Sequence, residues 1–203
     1  PRAYIRQSLR FSCIGAAGVA VVCMANPEAV INGPYQDRYR VGGAALRILS
    51  GGMVCFSMFT IINTILNGAG HTRDALISGV VTLVVAATAN SLLIPRAGSP
   101  LGALTVAAWA TTGAQALGMV VSAALIYRRF SASFPLGTLV RVLLAMAAAM
   151  ALGAVWPEHS KLVTVVECLG VMGAYYVVLA LLREFKAQDL ASFRRVIFRK
   201  RKK

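Results

Sequence analysis

A chain of 203 residues that is 58% hydrophobic and only 14% charged, with a mean hydropathy of +0.69, is too apolar for a soluble domain of this size. Composition therefore excludes a water-soluble enzyme. Twenty-one Lys and Arg against seven Asp and Glu leave a net charge of +14, which in a soluble chain would suggest nucleic acid and here has to be read by position.

Apolar runs matching the ~20-residue helix that crosses ~30 Å of hydrocarbon recur along the chain. Six spans are predicted, at 9–25, 45–67, 75–94, 101–127, 136–156 and 162–182. The segments between them, 26–44, 68–74, 95–100, 128–135 and 157–161, are each marked by Gly, Pro or charge and read as turns. In lipid each backbone N–H and C=O must be bonded within its own segment, so the spans are expected to be helices, and the alternating pattern of a membrane barrel is missing. The expected fold class is all-α: a six-helix membrane lobe over 1–182 and a basic tail over 183–203. The first apolar run is followed by five others rather than by a small-residue cleavage site, and the chain starts at Pro1. A truncated chain is therefore expected, not a signal peptide.

Six crossings put alternate loops on the same side, and positive charge is retained in the cytoplasm. One side collects Arg2, Arg6, Arg10, Arg73, Arg128, Arg129, Arg141 and the nine basic residues that follow the last span; the other has Arg38, Arg40, Arg47, Arg96 and Lys161. Both termini are thus expected in the cytoplasm. Arg194, Arg195, Arg199, Lys200, Arg201, Lys202 and Lys203 are then placed to meet anionic lipid, at up to ~1 kcal/mol per charge. A membrane surface, not nucleic acid, is the expected partner of this tail. If the segment after Asp189 is helical, Leu190, Phe193, Val196 and Ile197 share a face that would lie on the inner leaflet; a solvated tail is the alternative.

Lipid is as apolar as Leu, so close approach of small residues has to hold spans together. Candidate seams are Ser12, Ala16 and Ala20; Ala110, Ala114, Gly118 and Ser122; and Ala145, Ala149 and Gly153. In the second span Ser50, Ser57, Thr60, Asn63, Thr64 and Asn67 fall within ~140° of one face. Such a stripe either bonds a neighbouring helix or lines a hydrated cavity. Charges inside spans are functional candidates because they are costly in hydrocarbon. Arg47 and Arg141 lie near span ends, where snorkelling competes with a site role. Glu167 sits deeper, as a cation partner or proton-titrating group. Cys13, Cys23, Cys55 and Cys168 lie in apolar stretches without CxxC spacing and read as packing residues. His71 and His159 fall in loops with no metal-ligand pattern, and nucleotide and hydrolase motifs are missing. No cofactor and no enzymatic chemistry are expected.

The order of the segments resembles the C-terminal part of the polysaccharide-export flippases, within the multidrug/oligosaccharidyl-lipid/polysaccharide exporter superfamily. The resemblance is carried by ALRIL opening a helix, LNGAGHTR ending it, ANSLLIP ending the next, and GSPLGA opening the one after. NPEAVINGPYQDRY before them is similar to the family's Gly- and Tyr-containing hinge, and REFKAQDLASFRRVI to its usual end. The family pairs two six-helix lobes around a cavity, so this chain would supply the last six spans and lack the N-terminal lobe. The resemblance implies a protein of the bacterial cytoplasmic (inner) membrane that serves O-antigen or lipopolysaccharide assembly. It would pass a polyprenyl-diphosphate-linked oligosaccharide between leaflets by rocking of the lobes. Arg47, Asn63 and Asn67, with Arg141 as a further candidate, are the groups available to neutralise the diphosphate and bind sugar. One alternative is a cation-coupled drug or ion antiporter of the same superfamily, leaning on Glu167. Others are a membrane transferase or polymerase using Glu28, Asp37, Arg38, Arg40, Glu158 and His159 on outer loops, and a non-transporting scaffold.

Overall fold

The computed structural model describes residues 2–32, 37–131, 136–154 and 161–184. Six of its helices are long and apolar enough to cross a membrane, and among the described residues there is no strand. α1 (Arg2–Ala25) begins seven residues before the first predicted span. It buries Ile5, Leu9, Cys13, Ala17, Val21 and Ala25, one residue in every four, so a single stripe faces the bundle for its full length. The small-residue seam foreseen on this helix is displaced: Ala20 is buried, but Ser12 and Ala16 are only half so.

The first linker is more structured than a turn. It contains α2 (Pro27–Asn32), with Pro at the first helical position where its missing N–H costs nothing, and a 3₁₀ turn over Asp37–Gly42. α3 (Gly43–Gly68) follows. It ends in a Schellman turn: Gly70 takes φ +81°, its N–H reaches Asn67 O at 3.1 Å, and the His71 N–H reaches Leu66 O at 2.9 Å. α4 (Thr72–Leu93) and α5 (Pro100–Phe130) are joined through a short 3₁₀ turn and Gly98, at φ +67°. Ser99 caps α5 by accepting the Gly102 N–H at 3.1 Å, with Pro100 just inside the helix. α6 (Leu136–Ala154) and α7 (Lys161–Leu181) complete the order.

The bundle is two triads. α1, α6 and α7 pack on one another, α5 packs on α3 and α4, and the groups are joined along α1 and α3. Small residues set the distances. Ala110, Ala114, Gly118 and Ser122 are all buried along α5, and Ala145, Ala149 and Gly153 along α6, as expected for helices that must approach closely in lipid. α4 is the most peripheral span: it lies along α5, touches α3 less, and leaves Leu76, Ile77, Leu83 and Val84 on the outside. Apolar exposure of that kind is what hydrocarbon covers.

Consecutive spans run in opposite directions, so the start of α1, the α3–α4 turn, the end of α5, the start of α6 and the end of α7 share one end of the bundle. Polar contacts tie them there. Arg2 Nε donates to Phe130 O at 2.9 Å, and His71 packs edge-on to Phe130 with ring centres 5.6 Å apart. Arg129 holds buried Asp74 through two hydrogen bonds, 2.6 and 3.2 Å. Both described chain ends therefore lie together at what we call the basic end. The proposed interfacial helix after Asp189 and the residues 185–203 lie outside the described residues.

Candidate functional site

Asn63, Asn67, Arg47, Arg141 and Glu167 are not brought into one cavity; the fold distributes them over four places. Arg47 and Asn67 stand at opposite ends of α3, ~30 Å apart at 1.5 Å per residue. Arg47 is exposed, and its Nη2 donates to Ala25 O, the last carbonyl of α1, at 3.4 Å. A cation at a helix C-terminus meets the negative end of its dipole, so the contact closes the end of α1 and points away from the polar face of α3.

Arg141 is half exposed and paired with an acid: its Nη1 is 2.6 Å from Glu184 Oε2. Glu184 is the hub of the basic end. Its carboxylate also accepts from Thr138 at 2.6 Å and from Arg10 Nε at 2.7 Å, while Arg10 Nη2 reaches the Glu184 carbonyl. This joins α1, α6 and the end of α7, and leaves the Glu184 side chain 2% exposed. Burial by itself pushes this carboxyl up, but the hydroxyl of Thr138 and the guanidinium groups of Arg141 and Arg10 outweigh it and hold it below the ordinary carboxylate value. The backbone delivers Glu184 by a second Schellman turn, in which Arg183 takes φ +53° and the Glu184 N–H reaches Leu179 O at 3.1 Å. This acid, two residues past the predicted lobe, packs against α1 and α6. Sequence reasoning missed it; the available signal was an acid directly after the last span, opposite Arg10 and Arg141 one to three turns inside their own spans.

The polar face of α3 is divided between an interhelical bond and an exposed arc. Asn63 bonds a neighbouring helix, its Oδ1 lying 2.7 Å from the hydroxyl of fully buried Ser78 on α4, which is also 2.9 Å from Ala75 O. Thr64 bonds back to Thr60 O at 2.8 Å, which satisfies a hydroxyl cheaply. Thr60, Thr64 and Asn67 remain exposed. Beside them, α3 and α4 enclose an open groove of about 590 Å³. Asn63, Asn67, Thr72 and Arg73 line its basic end, and Leu76, Val80 and Leu83 form an apolar wall beyond.

Glu167 occupies the fourth place, on α7 toward the opposite end. It is 6% exposed, and its Oε1 has no hydrogen-bond partner among the described residues. Of the outer-loop groups, Glu158 and His159 lie outside the described residues.

Six apolar helices, stitched by small-residue seams and by intramembrane hydrogen bonds, define an all-α polytopic membrane protein. Comparison with family models, with curated proteins and with solved structures finds no match for the chain.

Proposed function

We propose that the chain is the C-terminal membrane lobe of a flippase that moves a polyprenyl-diphosphate-linked oligosaccharide across the bacterial cytoplasmic membrane for cell-surface polysaccharide assembly. The observation that carries this reading is the exposed arc of Thr60, Thr64 and Asn67 on α3. A threonine can satisfy itself against its own helix, but a carboxamide has two donors and an acceptor that lipid cannot serve. A spanning helix with such a face fits a hydrated cavity shared with a second lobe, and hydroxyl and amide groups are what a sugar requires. The basic end would face the cytoplasm, and the partner would be the preceding lobe of the same chain. The order of helix ends in the sequence supports the same reading.

The test uses the full-length chain reconstituted in vesicles, with transfer of a fluorescent polyprenyl-diphosphate saccharide between leaflets as the readout. Asn67→Leu should slow transfer about tenfold, the worth of one hydrogen bond to a charged or strongly polar group, while Arg96→Ala leaves it unchanged. Unchanged transfer by Asn67→Leu and by Thr64→Val would overturn the reading. One observation favours a second one, a cation-coupled antiporter: the buried carboxyl of Glu167, with an oxygen unpaired among the described residues, suits a coupling ion. That reading gains if Glu167→Gln abolishes proton- or sodium-driven efflux and leaves glycan transfer intact.

A further inference from the structure

The groove between α3 and α4 has the chemical order of an amphiphile. Its polar end lies level with the basic end of the bundle. Asn67, Thr72 and Arg73 are exposed there, and none of the three side chains is hydrogen-bonded among the described residues. Toward the bilayer centre the lining turns apolar through Leu76, Val80 and Leu83, about 10 Å of helix. Among the described residues Arg73 is the one guanidinium lining the groove, and Arg129 nearby is committed to Asp74. One guanidinium matches a phosphodiester monoanion; a diphosphate would bring more charge than the groove neutralises.

We propose that this groove binds one acidic glycerophospholipid, its phosphate on Arg73 and Thr72 and one acyl chain along Leu76, Val80 and Leu83. The second chain remains in the bilayer, to which the groove is open. The site goes beyond the transport reading and holds whether or not the chain moves a substrate.

The test is native mass spectrometry of the purified full-length chain released from detergent containing phosphatidylglycerol, phosphatidylcholine or a polyprenyl diphosphate. Phosphatidylglycerol should be retained about fivefold over phosphatidylcholine, as expected for one interfacial cation. Arg73→Gln should erase that preference, whereas Arg96→Gln, at the opposite end, should keep it. Gly79→Leu supplies a variant that fills the groove from within, because a Cβ at Gly79 meets nothing within 4 Å; it should lower retention of both phospholipids. Equal retention of the two phospholipids by the unaltered chain, or equal loss from Arg73→Gln and Arg96→Gln, overturns the proposal. Arg73-dependent retention of the polyprenyl diphosphate in place of phosphatidylglycerol also overturns it, and assigns the groove to the carried substrate.

Discussion

Glu184 shows how one residue can set the character of an end of the bundle. It is buried, it accepts from three side chains on two helices, and it reaches them only because Arg183 adopts a left-handed conformation. Glu184→Gln should lower stability by about 2 kcal/mol; breaking a buried pair costs ~3 kcal/mol or more, reduced here because Arg141 is half exposed. Thermal unfolding in detergent reads this directly. The pH dependence has a definite sign. Because folding lowers the pKa of Glu184, its stabilisation is complete above the unfolded value and is lost as pH falls through the folded one. The gap between the unaltered chain and Glu184→Gln should therefore be widest at neutral pH and close in acid, below the ordinary carboxylate range. Arg183→Gly is expected to raise stability by about 1 kcal/mol, since a non-glycine residue at positive φ is strained; a lower unfolding temperature would show that the Arg183 side chain outweighs its backbone. Asp74 and Glu184 were not legible as structural residues because each lies at the edge of a span, where sequence separates loop from helix but does not pair distant ends.

At the scale of elements, most of the helices were legible. Hydrophobic length located all six spans, and the GSPLGA segment marked the opening of α5. The hidden pieces were short. α2 and the 3₁₀ turns before α3 and after α4 are too brief to show a period, and their places follow from packing against neighbouring spans. The polar stripe on α3 was readable as a stripe, yet its division into an interhelical bond at Asn63 and an exposed arc at Thr60, Thr64 and Asn67 depends on where α4 lies. The seam on α5 gives the sharpest element-level prediction. A Cβ on Gly118 would collide with Thr82 Oγ1 and stand 3.2 Å from Phe59 Cδ2, so Gly118→Val should cost about 2 kcal/mol by forcing α4 away from α5. Gly113→Ala, on the same helix, meets nothing within 4 Å and should be neutral or stabilising. Disulfide cross-linking of cysteines placed across α4 and α5 measures the separation.

For the whole molecule, parity is the property that sequence conveyed best, because charge bias counts crossings without knowing any contact. The bundle brings both described ends together, through Arg10 and Glu184. The charge bias supplies only an expectation of which leaflet they face. Cysteines introduced at Ala69 and Ser131 should be modified by an impermeant reagent only from the cytoplasmic side, and one introduced at Ala97 only from outside; the reverse pattern would invert the bundle and remove the transport direction proposed above. The candidate site was the least legible part. Arg47, Arg141 and Asn67 looked equivalent as polar groups in apolar helices, and only the assembled bundle distinguishes the helix-end contact, the ion pair and the open groove.

The gathering of Asp74–Arg129 and of Glu184 with Arg10 and Arg141 at one end makes ionic strength a lever on that rim. Arg129 and Arg141 are about half in solvent, so dissolved salt screens their bonds while leaving the apolar seams between helices unaffected. Concentrated electrolyte should loosen the rim first, and hydrogen exchange would register it at the turn after α3 and at the close of α7 before the middle of any span responds.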